Sequence, residues 1–272
     1  MSKVWFITGS SRGFGREFAL AALERGDKVA ATARNTATLS DLVEKYGDAV
    51  LPLRLDVTDR AGVFEAVAAA TERFGRLDVV VNNAGYALIG AVEDLGEQEL
   101  RDQMETNVFG VLHVTQAVLP VLRAQGSGHI IQISSAMGVA TFGGVGGYSA
   151  SKFALEGMSE ALAQEVAAFG IKVTLIEPGA FATDFSSSSV FTAHTHDAYG
   201  PLYAALTDPG ASAQAPSPDG VGDAILQLVD ADEPPLRVFF GEQPTQWIPT
   251  VYQQRLETWA EWAHLSKAAE GK

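Results

Sequence analysis

A tyrosine and a lysine four residues apart, Tyr148 and Lys152, lie in the stretch GGVGGYSASKFALEG at residues 143–157. Residues i and i+4 share one face of a helix, so a helix here would point both side chains the same way. A phenol has an ordinary pKa of about 10, and a neighbouring ammonium group favours its ionised form. The pair could therefore act as a general acid and base. A glycine-rich loop followed by an ordinary helix N-terminus would contain the same residues.

A second candidate for chemistry is TGSSRGFG at residues 8–15, which follows an apolar run and precedes a helical pattern. Glycines let a turn close and let a phosphate approach the backbone, and a helix N-terminus supplies N–H groups for an anion. The spacing Gly9-x3-Gly13-x-Gly15 differs from the common G-x-G-x-x-G dinucleotide fingerprint. The pattern favours a phosphate-binding turn, with a plain strand-to-helix connection as the alternative.

Small and polar residues follow three further apolar runs. They are Asp56-Val57 after the run at 50–55, Asn82-Asn83-Ala84-Gly85 after 77–81, and Ser134-Ser135 after 129–133. Each set alone could be turn or cap chemistry. Ligands of open α/β sheets bind at the carboxyl ends of the strands, which meet at one edge. In that order along the chain, the three sets together predict a ligand site at that edge.

Seven short apolar runs supply the strands that would position these residues, at 4–7, 28–33, 50–55, 77–81, 129–133, 172–176 and 236–240. Most are continuous rather than alternating, as expected for strands covered on both faces. Helical spacing lies between them, at 13–26, 60–74, 97–124 and 148–169. This alternation predicts an α/β fold with a doubly wound, parallel, seven-stranded sheet and helices on both faces. We predict a single domain over residues 1–272.

The composition changes after residue 183, where residues 184–220 become rich in Ser, Ala, Pro and Gly. Long excursions of this kind are usually functional, and we predict a substrate lid that is more mobile without ligand than with it. The tail at 244–268 predicts a final helix that packs on the domain. Five side chains are candidates to line an apolar pocket under the lid: Phe185, Phe191, Tyr199, Leu202 and Tyr203.

Composition narrows the possible functions. The formal net charge of −14 argues against nucleic acid or an anionic membrane as a partner, because both require a basic face. The chain has no cysteine, which excludes thiolate chemistry, and we expect no metal site, with His194 and His196 interpreted as exposed loop residues. Neither a signal-peptide pattern nor a long apolar span is present, so a cytoplasmic location is expected.

Together these motifs resemble the short-chain dehydrogenases/reductases, in their compact single-domain branch. The resemblance covers nearly all of residues 3–241 and is closest to members that reduce ketones, including those similar to 17β-hydroxysteroid dehydrogenases and bacterial carbonyl reductases. Residues 184–220 and 242–272 carry no shared motif. The motifs that carry the resemblance are T-G-x3-G-x-G at 8–15, N-N-A-G at 82–85, Asn107 within ETNVFG, Ser135 thirteen residues before Tyr148, Tyr148-x3-Lys152, and Pro178-Gly179 followed by Thr183.

The resemblance implies a Rossmann-type fold and hydride transfer between a nicotinamide cofactor and a ketone or secondary alcohol. It implies that Tyr148 is the general acid for reduction, that Lys152 bonds the nicotinamide ribose, and that Ser135 donates to the substrate oxygen. Asn107 would anchor a water that relays protons to Lys152. A homodimer or homotetramer built on the helices at 97–124 and 148–169 is also implied. The implied cofactor-binding residues are Gly9, Ser11, Arg12, Gly13, Phe14, Gly15, Arg34, Asp56, Val57, Asn83, Ala84, Gly85, Tyr148, Lys152, Pro178, Gly179 and Thr183.

The end of the second predicted strand bears on which dinucleotide binds. Enzymes that select NAD usually place an acidic residue there to bond the adenosine ribose hydroxyls. That position is Ala33, and the next residue, Arg34, has a guanidinium group that suits phosphate geometry. Arg12 in the glycine loop could approach the same 2′-phosphate. We therefore predict NADP(H) rather than NAD(H), although both arginines could be ordinary surface charges.

Other classes of protein remain as alternatives. A non-catalytic dinucleotide sensor on the same fold would be expected to have lost Tyr148 or Lys152, and both are present. The extended epimerases and dehydratases share Tyr-x3-Lys but have a larger C-terminal domain and a different glycine loop. An NAD-dependent secondary-alcohol or steroid dehydrogenase is the nearest alternative, because sequence does not fix the direction of the reaction. The small-molecule carbonyl or alcohol substrate is expected to be fairly apolar.

Overall fold

The structure is a computed structural model that describes residues 2–183, 185–208 and 215–271. Parts of the predicted lid, Asp184 and residues 209–214, lie outside the described residues. The described strands are β1 (Val4–Ile7), β2 (Lys28–Ala33), β3 (Val50–Arg54), β4 (Val79–Asn82), β5 (Leu88–Ile89), β6 (Gly128–Ile133), β7 (Ile171–Pro178), β8 (Val190–Phe191) and β9 (Arg237–Phe240).

The described helices alternate with these strands along most of the chain. They are α1 (Gly13–Glu24), α2 (Ser40–Tyr46), α3 (Arg60–Phe74), α4 (Glu97–Met104), α5 (Gly110–Gln125), α6 (Gly146–Val166), α7 (Phe185–Ser188), α8 (Gly200–Leu206), α9 (Val221–Asp230), α10 (Gln243–Glu261) and α11 (Ala263–Ala269). No helix in the described ranges is both long and apolar enough to cross a membrane.

The main sheet has seven strands in the order β3-β2-β1-β4-β6-β7-β9, all parallel. Strand order reverses at β1, which pairs with β2 on one side and with β4 on the other. Such a reversal opens a crevice at the carboxyl ends of the strands, where ligands of open α/β sheets bind. The predicted doubly wound, seven-stranded parallel sheet in a single domain is confirmed.

Alternate residues of β1 enter two separate apolar cores. Trp5 and Ile7 pack on one face of the sheet, against α1, α2 and α9. Val4 and Phe6 pack on the other face, against α3, α5 and α6. All four side chains are almost fully buried. Continuous apolar strands therefore follow from a sheet that is covered on both faces.

The predicted helix at 97–124 is not continuous. Between α4 and α5, residues Glu105–Phe109 form one turn of π-helix, and Asn107 lies in the middle of it. Single π turns inside α-helices recur at functional sites, because the extra residue re-aims the side chains around it. The sequence pattern also missed α2, and it missed the two-stranded sheet in which β5 pairs with β8.

Candidate active site

Tyr148 and Lys152 lie one turn apart on the first half of α6, and Ser135 follows β6. All three side chains are nearly buried, with 7%, 5% and 8% of their surfaces exposed. The Nζ atom of Lys152 lies 5.7 Å from the centre of the Tyr148 ring. It also donates a hydrogen bond of 2.7 Å to the carbonyl oxygen of Ile133 at the end of β6. The structure therefore brings the predicted catalytic serine, tyrosine and lysine together at the carboxyl edge of the sheet.

Burial controls the protonation of Tyr148 and Lys152. It raises the pKa of Tyr148 to about 12, and a hydrogen bond with Ser135 opposes this rise. It also lowers the pKa of Lys152 to about 8, opposed by the negative charge of Glu156. The loss of hydration on burial is the largest effect on both pKa values, and the expectation that the charge of Lys152 favours the phenolate stays a prediction. Near neutral pH Tyr148 therefore holds its proton.

Asn107 fixes the segment that follows β4. Its Oδ1 atom accepts a hydrogen bond of 3.2 Å from the backbone N–H of Tyr86. Its Nδ2 atom donates to the Tyr86 carbonyl at 3.0 Å and to the Ser151 hydroxyl at 3.1 Å. Gly85 leaves room for this arrangement, since a Cβ atom there would lie 3.0 Å from Asn107 Oδ1. Asn107 thus joins α6 to the loop after β4, and its water relay to Lys152 stays a prediction.

The glycine loop between β1 and α1 has the backbone shape that a phosphate site requires. Gly9 and Gly13 have φ angles of 69° and 55°, which side chains disfavour. A Cβ atom at Gly15 would overlap the Gly9 carbonyl oxygen. Ser10 donates its backbone N–H to the carbonyl of Thr32 at 2.9 Å, which holds the loop beside the end of β2.

The first turn of α1 offers N–H groups to an anion. Its N-cap residue, Arg12, provides no side-chain cap, and the turn contains no acidic residue. Phe14 packs its ring on Phe181 with centroids 5.0 Å apart. Thr183 lies across the loop, its Cβ 4.0 Å from the place of a Cβ atom at Gly13. Helix dipole, open N–H groups and glycine backbone therefore fit the pyrophosphate of a dinucleotide.

Thr8 joins the glycine loop to the loop after β4, although the sequence pattern gave it no separate role. Its hydroxyl oxygen accepts the backbone N–H groups of Asn83 and Ala84, at 2.9 Å and 3.0 Å. Asn83 in turn donates its Nδ2 to the carbonyls of Thr8 and Gly9, at 2.9 Å and 3.1 Å. Asn83 and Ala84 therefore lie beside the predicted phosphate site. The available signals were the place of Thr8 directly after β1 and its position as the first residue of the T-G-x3-G-x-G motif.

The remaining predicted cofactor residues surround the same crevice. Asp56 is exposed after β3, and its Oδ1 accepts the N–H and hydroxyl of Thr58 at 3.0 Å and 2.8 Å. Val57 is buried, and its carbonyl oxygen lies 3.2 Å from His113 Nδ1. Gly179, which follows Pro178 at the end of β7, donates to the Phe240 carbonyl at 2.9 Å.

Charge at the end of β2 is positive. Ala33 is buried as the last residue of the strand, and Arg34 is exposed. In the described part of the chain, Arg34 has no carboxylate partner. Arg12 and Ser11 lie in the neighbouring loop, and Arg12 donates from Nη2 to the Ser188 hydroxyl in α7 at 2.6 Å. Two exposed guanidinium groups, those of Arg34 and Arg12, thus belong to the end of β2 and to the glycine loop held beside it.

The four glycines ahead of Tyr148, at 143, 144, 146 and 147, leave space for side chains of neighbouring segments. A Cβ atom at Gly144, where φ is 87°, would overlap Leu206 of α8, and one at Gly143 would lie 3.4 Å from Leu202 Cδ1. Gly144 also accepts the backbone N–H of Gly90 at 2.8 Å. In the structure these glycines let α8 and the segment around β5 pack on the loop that leads to Tyr148.

The predicted lid is anchored by buried or bonded carboxylates. Tyr203 of α8 donates from its hydroxyl to Asp94 at 2.5 Å, and Tyr199 donates to Glu93 at 2.6 Å. His196 is exposed, as the sequence predicted, and it is hydrogen bonded to Asp94, which raises the pKa of the histidine. Of the pocket candidates, the Phe185 ring comes within 5.9 Å of the Tyr148 ring. Tyr199 and Tyr203 therefore tie the segment around α8 to Glu93 and Asp94 through their hydroxyl groups.

A second polar cluster lies behind Lys152, and the sequence pattern did not predict it. Glu156, one turn further along α6, is buried and accepts a hydrogen bond from Arg237 Nε at 2.9 Å. Glu177 of β7 is buried 3.6 Å from the same Nε. Burial and the charge of Glu156 raise the pKa of Glu177 to about 7. The sequence signal that could have predicted this cluster was Glu156 itself, a carboxylate four residues after Lys152 on the same buried helix face.

These features define a class of protein: a parallel α/β oxidoreductase with a dinucleotide crevice and a Ser-Tyr-Lys site. The family model for short chain dehydrogenases matches residues 3–192, and the chain belongs to this family. It is 42% identical to the oxidoreductase BOA17 of Botryotinia fuckeliana over 99% of this chain and 100% of that protein. It is 40% identical to a 3-ketodihydrosphingosine reductase of Bacteroides thetaiotaomicron over 88% of each chain.

Solved structures show the same fold. A short-chain dehydrogenase from Streptomyces avermitilis superposes with a TM-score of 0.93 at 40% identity, over 98% of this chain and 99% of that one. An alcohol dehydrogenase from Thermococcus sibiricus, complexed with 5-hydroxy-NADP, gives 0.74 at 27% identity over 88% and 96%. A 3-ketoacyl-(acyl-carrier-protein) reductase from Brucella melitensis, complexed with NADH, gives 0.73 at 26% over 88% and 97%. An NAD(P) dinucleotide therefore suits this fold.

Proposed function

We propose that the protein reduces a ketone with NADPH and catalyses the reverse oxidation of a secondary alcohol. The observation that carries the proposal is the placement of Tyr148, whose buried phenol is hydrogen bonded to Ser135 and whose ring centre lies 5.7 Å from Lys152 Nζ. Burial raises the pKa of this phenol to about 12, so it holds its proton. A phenol in this state can protonate an oxyanion. A purely structural tyrosine would not need a serine hydroxyl and a buried lysine around its hydroxyl group.

Each residue of the site has a separate role in the reduction. The bound dinucleotide supplies the hydride. Ser135 and Tyr148 hold the substrate oxygen by hydrogen bonds, and as negative charge develops there, the proton of Tyr148 Oη passes to it. The phenolate left on Tyr148 is stabilised by the ammonium group of Lys152. Lys152 would also bond the nicotinamide ribose, and in oxidation the same proton moves in the opposite direction.

The choice of NADP(H) is supported by charge around the end of β2. Neither Ala33 nor its neighbour Arg34 offers a carboxylate to repel a 2′-phosphate. Arg34 and Arg12 are exposed at this place, and neither has a carboxylate partner among the described residues. A hydrogen bond to a charged partner contributes about 1.5–3 kcal/mol, and 1.4 kcal/mol is about tenfold in affinity. With a discount for solvent exposure, NADPH should be favoured over NADH by about 10²-fold.

The test is kcat/KM with each reduced cofactor on the same ketone. The wild-type enzyme should prefer NADPH, and the double variant Ala33→Asp with Arg34→Ala should prefer NADH. Arg123→Ala, which removes an exposed arginine from the far end of α5, is the matched control and should leave the ratio unchanged. Equal values for the two cofactors, or NADH ahead in the wild-type enzyme, would contradict the assignment and favour the NAD-dependent alternative.

We propose a fairly apolar substrate, because the lid brings apolar side chains to Tyr148. Phe185 lies against the tyrosine ring, and Leu202 and Leu206 reach the glycines just ahead of it. A panel of ketones and alcohols of increasing apolar size, followed by absorbance of the reduced nicotinamide, would define the substrate class. Hydrogen exchange over residues 190–207 should slow when cofactor and substrate are both added, and unchanged exchange would count against a lid.

We also propose assembly through α4, α5 and α6, and a cytoplasmic location. Phe109, the last residue of the π turn before α5, is 43% exposed, and Phe153 and Met158 of α6 are 40% and 36% exposed. Apolar side chains exposed together are typical of subunit interfaces. Light scattering of the wild-type protein and of Phe153→Glu would test the assembly, and a monomer at micromolar concentration would contradict it.

Fractionation of cells that express the tagged chain would test the proposed cytoplasmic location.

A further inference from the structure

The C-terminal helix leaves the body of the domain part-way along its length. Near its start, Ile248 is buried, and Trp247 and Val251 pack on the loop Ala136–Ala140. Arg255 makes the last described hydrogen bond to the body, from Nη1 to the Val139 carbonyl at 2.9 Å. Every residue from 256 to 271 is exposed. We call residues 252–269, the end of α10 together with α11, the C-terminal arm.

The arm carries the residue spacing of a helix-pairing seam. Ile248, Tyr252, Arg255, Trp259 and Trp262 are separated by four, three, four and three residues, which is the spacing of heptad a and d positions. The first of them is buried on the protein's own body, whereas the two tryptophans are 68% and 52% exposed. The helix face that is covered at the base of α10 therefore continues outward without cover to Trp259, and Trp262 follows at the junction with α11. A seam of this spacing fits another helix better than a flat surface.

The exposed apolar area is large for a surface without a partner. Five side chains of the arm each expose between 44% and 68% of their surfaces: Tyr252, Leu256, Trp259, Trp262 and Leu265. Since large aromatic side chains bury about 150–250 Å² each, these five leave roughly 500 Å² uncovered. Monomeric proteins rarely expose more than a few hundred Å² in one patch, and a stable interface takes about 800 Å² from each partner. The two helical pieces of the arm, residues 252–261 and α11, are also each short enough to be marginal without packing.

Charge favours a second copy over an anionic membrane. The arm mixes both signs, with Arg255 and Lys267 against Glu257 and Glu261. It has no cluster of basic residues to attract anionic lipids, and the whole chain has a formal charge of −14. Antiparallel arms centred at Glu257 would place Arg255 of each copy against Trp259 of the other, a favourable cation–π arrangement. The arm is therefore complementary to itself.

We propose that two copies of this chain associate by antiparallel pairing of their C-terminal arms. The pairing uses the same patch on both subunits around a two-fold axis, so it closes on itself. The base of the arm packs on Ala136–Ala140, which directly follows Ser135. Association therefore covers the tryptophans and steadies the helix that supports the loop carrying Ser135. This interface is separate from the one proposed on α4, α5 and α6, and it does not depend on the proposed function.

The experiment compares the molar mass of the wild-type protein with that of the double variant Trp259→Glu with Trp262→Glu. Light scattering and sedimentation measure both masses over the micromolar range of protein concentration. The mass of the variant should be half that of the wild-type protein. Its arm-to-arm dissociation constant should rise by about 30-fold or more, because buried aromatic residues dominate interface energies. Gln253→Glu with Gln254→Glu adds the same two charges to other faces of the helix and should leave the mass unchanged.

Circular dichroism and thermal unfolding should show that the body of the variant remains folded, because the arm contributes nothing to the two main cores. A variant with the mass of the wild-type protein would overturn the proposal. So would a wild-type protein whose mass is halved only by Phe153→Glu. A monomeric wild-type protein that floats with phosphatidylcholine vesicles through Trp259 and Trp262 would identify a membrane helix instead. A monomer that binds no vesicles would also overturn it.

Discussion

Burial shifts the pKa values of the two titratable groups at the active site in opposite directions, and both shifts favour the uncharged form. The pKa of Tyr148 rises to about 12, and that of Lys152 falls to about 8. Near neutral pH a protonated phenol therefore stands beside a lysine that still carries its charge. Reduction needs this combination, because a phenol that had already ionised would have no proton to give.

Removal of the Tyr148 hydroxyl tests this role directly. We expect Tyr148→Phe to lower kcat about 10²- to 10⁴-fold, the usual contribution of a general acid. Cofactor affinity, measured by nicotinamide fluorescence, should change little, because the phosphate-binding loop is untouched. Tyr252→Phe alters an exposed tyrosine of the arm and should keep full activity. Near wild-type turnover in Tyr148→Phe would remove this residue from the mechanism.

The pH profile of reduction should report Lys152. Its pKa lies near 8, so the ammonium charge is present below that pH and is lost above it. We expect kcat/KM for reduction to fall as pH rises through about 8. Glu156→Gln removes the negative charge that raises this pKa, so the fall should begin at lower pH. Glu160→Gln, an exposed carboxylate one turn further along α6, should leave the profile in place. A pH profile that is unaffected by Glu156→Gln would show that the charge of Glu156 does not set the pKa of Lys152.

Among the elements, α8 contacts the glycine loop just ahead of Tyr148 through Leu202 and Leu206. Gly144 has a left-handed backbone, and a methyl group there would overlap Leu206. We expect Gly144→Ala to lower the free energy of unfolding by about 1–2 kcal/mol and to raise KM by up to about tenfold. Gly157→Ala is the control, because nothing lies within 4 Å of its new methyl group and alanine favours a helix. An unchanged KM in Gly144→Ala would show that α8 does not shape the substrate pocket.

The sequence predicted elements that depend on local patterns and missed those that depend on distant partners. Continuous apolar runs predicted the seven main strands, because a sheet covered on both faces needs them. The π turn around Asn107 was not predictable in this way, since it accompanies hydrogen bonds to Tyr86 and Ser151. The anchoring of Tyr203 by Asp94 joins residues 109 positions apart, which no local spacing reveals.

For the candidate site, too, local spacing predicted some features and missed those that depend on packing. The spacing of Ser135, Tyr148 and Lys152 predicted which side chains meet, because helix geometry and the strand order fix their places. The size of the shifts in their pKa values is a different matter. The pKa of Tyr148 depends on how completely the fold removes water from its hydroxyl group, which spacing does not contain. Glu156 was missed for a similar reason, since only packing against Arg237 makes its burial tolerable.

For the whole molecule, Glu177 should make stability depend on pH. Its pKa is raised from an ordinary 4.5 to about 7 in the folded state. The folded protein therefore holds a proton that the unfolded chain releases between these values, so stability is highest below this range and falls as pH rises through it. We expect the free energy of unfolding to drop by on the order of 2 kcal/mol between about pH 4.5 and 7.5 from this group.

Glu177→Gln should flatten that dependence and leave the protein more stable at pH 7.5. Denaturant unfolding at a series of pH values and one protein concentration measures both effects. Glu160→Gln, which also removes a carboxylate that contacts Arg237, is exposed and should keep the wild-type slope. An unaltered slope in Glu177→Gln would assign the pH dependence to other groups.

The strand order also affects how the chain is made. Trp5 of β1 pairs with Val79 of β4, 74 positions later in the chain. At a synthesis rate of about 5–20 residues per second, the apolar segment Val4–Ile7 waits about 4 to 15 s for its second neighbour. The sheet is complete only when Arg237–Phe240 has emerged from the ribosome. The yield of folded protein should therefore depend on how well nascent chains are shielded from one another, and slower, cooler expression should raise it.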